Sequence, residues 1–104
     1  MAHLILTYTL KKDVTNDQFE NWVRTTDYPK MRSLSRVSSF RTFRTEGLLL
    51  GEGSPAHQYV EVFDIPDLDG FTSEDMPGGV VQSVMGEFMM FVDNPQFMIA
   101  SEVI

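Results

Sequence analysis
Between His57 and Phe63 the chain reads HQYVEVF. Alternate residues of an extended strand share a face, so His57, Tyr59, Glu61 and Phe63 fall together and Gln58, Val60 and Val62 lie opposite. An imidazole, a phenol and a carboxylate in a row are groups that move protons. His57 is the natural acid/base, because a free imidazole titrates at about 6.5. Glu61 becomes one if burial lifts its pKa towards neutrality. A buried, unpartnered carboxylate is costly, so Glu61 must be paired or face a wet cavity. Competing readings are a surface glutamate on a sheet edge, or one neutralised by Arg41 or Arg44 of a neighbouring strand. His57 follows Pro55-Ala56 and could simply sit in a loop. Phe63 runs into the second helical half, so we place this face under the helices, as the floor of a cleft.

Other residues could hold a ligand there. Tyr8, Trp22, Phe40 and Phe43 supply flat apolar surface suited to a planar heteroaromatic, and Tyr59 and Phe63 join them on His57–Phe63, the organising strand of the chain. Met85, with Met89, Met90 and Met98, offers an adaptable apolar wall. Arg41 could grip a substrate carboxylate with two N–H groups. Core packing and surface ion pairing account for the same residue types. His3 starts the first strand. We expect strands one and three to run parallel, which sets the two histidines at one end of the sheet with Glu61 within reach of a shared metal. Two histidines without tight spacing are not a ligand set, so we assign neither metal nor cofactor. The chain has no cysteine, which excludes disulfides, thiolate catalysis and zinc–thiolate sites. No nucleophile motif is present, and Gly51-Glu52-Gly53 lacks the strand-to-helix setting of a phosphate cradle.

The elements that must position these residues follow from pattern and punctuation. At 104 residues, 42% of them hydrophobic, the chain suits one small globular domain over 1–104. A formal charge of −7 argues against nucleic acid and anionic membranes as partners. Nothing resembles a signal peptide or a membrane span, so a soluble cytoplasmic protein is expected. Residues 3–10 read as a strand. Thr15 reads as an N-cap with Gln18 as its capping-box partner, and Val14 and Phe19 as a hydrophobic staple. Phe19, Trp22, Val23 and Thr26 form one face of a helix ending near Asp27. Pro29 should interrupt that helix and push Tyr28 to extended geometry, with a short helical turn after it. A second strand spans 36–46, and Leu48–Leu50 could prolong it. The glycines at 51 and 53 join it to the organising strand as a hairpin. A helix over 77–92 and a last strand over 96–104 complete the chain. This β-α-β-β-α-β order is the ferredoxin-like α+β pattern: a four-stranded antiparallel sheet, strands one and three central, two main helices on one face. The other face, with Val60 and Val62, would be apolar and open. We therefore expect a homodimer with sheets packed face to face.

WVRTTDYPKMR, SFRTFR, LLLGEGSP, YVEVFDIPDLDGF and EDMPG together span most of the chain. In these segments it resembles the dimeric α+β barrel superfamily, and within that the RedY-like group associated with prodigiosin-type red pigments. The resemblance implies a role in making a pyrrole- or indole-derived metabolite, most specifically the bipyrrole half of prodigiosin. Ether-degradation-type members of the superfamily carry a histidine before the proline where this chain has Asp27-Tyr28. The departure rules out copying a histidine mechanism, but a carboxylate there allows acid/base work. Asp27 could alternatively cap the following turn. The expectation is a cofactor-free enzyme doing dehydration, condensation or proton transfer with His57, Glu61 and Asp27. Tyr59, Tyr28, Tyr8, Arg41, Phe63 and Met85 would contact the substrate. A non-catalytic carrier of a reactive intermediate and a cofactor-free monooxygenase are the alternatives.

Overall fold
A computed structural model describes residues 2–104. Its strands are β1 (Ala2–Leu10), β2 (Ser39–Arg44), β3 (Tyr59–Ile65) and β4 (Val92–Ser101). They form one antiparallel sheet in the order β2-β3-β1-β4. The fold is the expected ferredoxin-like α+β arrangement, with β1 and β3 central.

Helical segments cover one face. The first runs as α1 (Asn16–Trp22), a π-helical stretch Val23–Asp27, and α2 (Tyr28–Arg32). The second has a short α3 (Leu68–Gly70), a π-helical stretch Phe71–Asp75, and α4 (Gly79–Phe91). Thr15 caps α1 through the full capping box with Gln18, which satisfies two backbone N–H groups at the helix start. Phe19, Trp22 and Val23 then bury together. From α4, Val81, Val84 and Phe88 meet them over the sheet. The sheet contributes Leu6 and Tyr8 from β1, Phe40 from β2, and Tyr59 and Phe63 from β3. Phe40 and Phe63 stack at 4.0 Å between ring centroids.

Several boundaries differ from those the residue pattern predicts. Tyr28 is helical, not extended. The helix tolerates Pro29 because it widens just before it: the Tyr28 N–H reaches back to the Val23 carbonyl, an i→i−5 bond. Widening ahead of the ring relieves the crowding that proline imposes on the preceding turn. The same happens before Pro77, where the Met76 N–H bonds the Phe71 carbonyl, and α4 begins only at Gly79. The second strand is shorter than 36–46, because Arg36 is drawn out of it by Asp67, Glu74 and Asp75. Leu48–Leu50 do not prolong it. They lie exposed in the loop between β2 and β3, where Gly51 and Gly53 take positive φ. The last strand begins at Val92 and ends at Ser101, not at the terminus.

Strand direction also differs. β1 and β3 are antiparallel, with Leu6 opposite Glu61 and His3 opposite Asp64. A β-α-β crossover makes β2 parallel to β1, and the hairpin then reverses β3. His3 and His57 therefore lie at opposite ends of the sheet. His3 approaches Asp64 at 3.9 Å. Among the described residues no group of three or more His, Cys, Asp or Glu is placed to hold a metal ion. Among the described residues no helix is long and apolar enough to cross a membrane.

Candidate functional site
Glu61 is the third residue of β3 and belongs to the strand face that the helices cover, so alternation alone carries it inward. It is 2% exposed. Asp27 closes the first π turn and is 3% exposed. These two carboxyls line one cavity of about 40 Å³, walled by Leu6, Phe63, Val84 and Phe88. That cavity shares Leu6, Met31, Phe63, Val81 and Met85 with a neighbouring cleft of about 280 Å³. The cleft lies beneath the second helical segment, with Phe71 and Met76 on one side and Leu4, Phe97 and Ile99 of the sheet on the other. Thr72 is the one polar residue in its lining. The arrangement is an apolar slot with two acids at its inner end.

Electrostatics follow from that setting. Burial is the main cause that pushes Glu61 up to about 8, and the Asp27 charge adds to it. The Tyr8 phenol donates a hydrogen bond to Glu61 Oε2 and works the other way, since it stabilises the carboxylate. Asp27 is raised to about 7 by burial, with Arg32 opposing. Arg32 is not in the cavity lining. Its guanidinium donates to the Phe40 carbonyl at 2.7 and 3.2 Å and lies 3.7 Å from the centroid of the Tyr28 ring. Tyr8 itself is pushed far up, first by burial and then by the Glu61 charge, so it stays a neutral donor. Two carboxyls that still hold protons near neutrality can both give and take them.

The structure brings Asp27, Glu61, Phe63 and Met85 to one cavity, and Tyr8 reaches it through Glu61. The other candidate site residues lie elsewhere. Tyr59 stacks on Tyr8 at 5.7 Å, but its hydroxyl points to Glu20 at 2.7 Å. Glu20 also pairs with Arg44 at 3.3 Å, in a separate polar pocket. Tyr28 accepts the Thr42 N–H at 2.7 Å and borders that same polar pocket. Arg41 shares the parity of its register partner Val62, on the open sheet face, with its guanidinium 5.2 Å from the Phe43 ring centroid. His57 precedes β3, where Thr45 Oγ1 donates to its backbone carbonyl. It lies outside the strand that carries Glu61 and lines neither the cavity nor the cleft, so it does not join the acids. Leu6, Met31 and Val81, which wall both spaces, carry no sequence signal of a site. Their apolar character reads as core, and only the register and the helix crossing show that they border a void.

A family model described as REDY-like protein HapK matches residues 2–103. No curated protein sequence matches the chain. Among solved structures, HapK from Hahella chejuensis superposes with a TM-score of 0.80 at 24% identity, over 99% of this chain and 93% of that one. An ethyl tert-butyl ether degradation family protein from Bacillus halodurans gives 0.77 at 19% identity, over 99% of both chains. A dimeric ferredoxin-like protein of unknown function from Thermobifida fusca gives 0.75 at 16% identity, over 97% of this chain and 90% of that one. At these identities the structures show a common fold.

Proposed function
Because the chain belongs to the REDY-like HapK family, we propose that it acts in prodigiosin-type secondary metabolism, as a cofactor-free acid/base enzyme on a pyrrole- or indole-derived intermediate. The observation that carries this reading is the pair of buried carboxyls, Asp27 and Glu61, at the inner end of an apolar cleft. A planar heterocycle fills the slot against Phe63, Met85 and Phe71. One carboxyl, ionised, takes a proton from the ring N–H or an adjacent carbon. The other, protonated, gives its proton to a hydroxyl oxygen, which leaves as water as its C–O bond breaks. Tyr8 holds the Glu61 carboxyl in place. The roles expected of His57, Arg41, Tyr28 and Tyr59 are not part of this mechanism, since none of them borders the cavity.

The homodimer belongs to the same proposal. Ile5, Val60, Val62, Phe43 and Met98 lie on the sheet face away from the helices, and Phe43 and Met98 are exposed. A second copy covering this face would remove them from water.

Purified protein incubated with each intermediate of a bipyrrole pathway, with and without air, tests the function by mass and absorbance. Turnover of one intermediate regardless of air, lost in Glu61→Gln and Asp27→Asn, supports the reading. Binding without turnover, unchanged in these variants, replaces it with a carrier, which the nearly all-apolar cleft lining would also suit. Product that forms only in air indicates a monooxygenase.

A further inference from the structure
The charge balance of the cleft points to the kind of ligand it takes. Neither the cavity nor the cleft is lined by Lys, Arg or His. The basic group that acts on Asp27 is Arg32, and its guanidinium is engaged by the Phe40 carbonyl and the Tyr28 ring. Tyr8 occupies Oε2 of Glu61, which leaves the second Glu61 oxygen and Asp27 for a ligand. Two carboxyls facing one small cavity resist ionising together, so around neutrality the pair holds a proton and keeps roughly one negative charge. Burial outweighs what Arg32 and Tyr8 do to offset that charge, so between apolar walls it stays costly. A ligand that brings positive charge relieves that cost, and one that brings a second negative charge raises it.

The walls narrow the choice of cation. An ammonium is compact and strongly hydrated, and would lose its water against Leu6, Val81 and Met85. A flat heteroaromatic cation spreads its charge over the ring, offers N–H groups to the carboxyls along one edge, and turns the rest of its surface to the apolar lining. Met31 and Met85 border both spaces and can adapt to the ring outline. We propose that the cleft selects a delocalised N-heteroaromatic cation over neutral and anionic molecules of the same skeleton. The inference rests on the acid/base reading of the site and names the charge class of its substrate or intermediate.

Calorimetric titration with three flat two-ring probes tests it: protonated 2-aminoquinoline, neutral 2-naphthol and anionic quinoline-2-carboxylate. The first two both donate hydrogen bonds from the ring edge and differ in charge. At a pH of about 7 the cation should bind at least tenfold tighter than 2-naphthol, and the carboxylate should not bind detectably. Asp27→Asn and Glu61→Gln should each remove most of this preference, read as the ratio of the cation's affinity to that of 2-naphthol in the same protein. Equal affinities for cation and neutral probe, preference for the carboxylate, or no binding of any probe overturns the proposal. So does a preference that survives in the double variant. The wild-type comparison decides the matter if a variant does not fold. Carbon-detected NMR of the ligand-free carboxyls separates the two levels. If both titrate in the ordinary carboxylate range, the acid/base reading fails. Raised titration without a cation preference overturns the charge selection alone.

Discussion
The Tyr8 phenol donates to Oε2 of Glu61 across a register that sets Leu6, not Tyr8, directly opposite the glutamate. The contact is diagonal, between residues that share a face of the central strand pair. It is a donor to a buried carboxylate, so Tyr8→Phe should move the Glu61 titration further up. Hydrogen bonds to charged groups contribute about 1.5–3 kcal/mol. The variant should lose stability of this order in mildly alkaline solution, where Glu61 is ionised, and less in acid. Urea unfolding at both pH values, with NMR titration of the Glu61 carboxyl, checks this. An unchanged titration would mean the phenol does not stabilise the carboxylate.

Both acids carry a folded-state pKa above the unfolded one, which fixes the sign of the pH effect. The folded state binds protons more tightly than the unfolded chain. Stability is therefore fully present below the ordinary Glu value of 4.5 and is lost as pH rises through about 8. The slope should approach 1.4 kcal/mol per pH unit for each group within its window. Glu61→Gln should flatten the upper part of this curve and make the protein more stable than wild type at alkaline pH. Denaturation midpoints measured across the range test the prediction. A curve that rises with pH would contradict it.

Met85 borders both the cavity of the acids and the larger cleft. Replacing it with Trp fills the shared wall and keeps both acidic residues in the chain. Met85→Trp should weaken binding of any planar ligand by tenfold or more, and near-UV circular dichroism should still report a packed core. Glu61→Gln leaves the wall open and should instead abolish conversion of a turnover substrate. Fluorescence titration and a turnover assay on the same two proteins distinguish steric from chemical loss.

Val62 sits mid-strand on the open sheet face, paired with Ile5 of β1 and Arg41 of β2. A charge there would be harmless in a monomer and buried in a face-to-face dimer. Val62→Asp should shift the protein from dimer to monomer in light scattering coupled to size exclusion. A wild-type protein that already runs as a monomer at high micromolar concentration would refute the dimer.

How far the sequence is legible depends on how local each determinant is. The capping box at Thr15 and Gln18 involves residues three apart, and it forms as expected. The alternation of Tyr59, Glu61 and Phe63 needs only the strand period, and all three are buried. Asp27 draws notice through a resemblance, because a lone aspartate before Tyr28-Pro29 has no pattern of its own. The hidden part is relational. A parallel β1 and β3 is the wrong expectation, because the hairpin reverses the direction of β3 and so separates His3 from His57. The apolar walls around the acids carry no signal that distinguishes a lining from a core. The meeting of Asp27 with Glu61 depends on a helix turn whose geometry is set by a proline two residues further on.

That widened turn has a bearing on how such a site could arise. A π turn is an α-helix carrying one residue too many. Wound as an ordinary α-helix, the same residues would rotate the downstream segment by roughly 100°, swinging Asp27 or Met31 off the cavity. The fold would remain, with one acid where there are now two. The winding of this one turn thus decides whether the cleft ends in one carboxyl or in two. The second such turn, before Pro77, sets Phe71 and Met76 against the cleft in the same way.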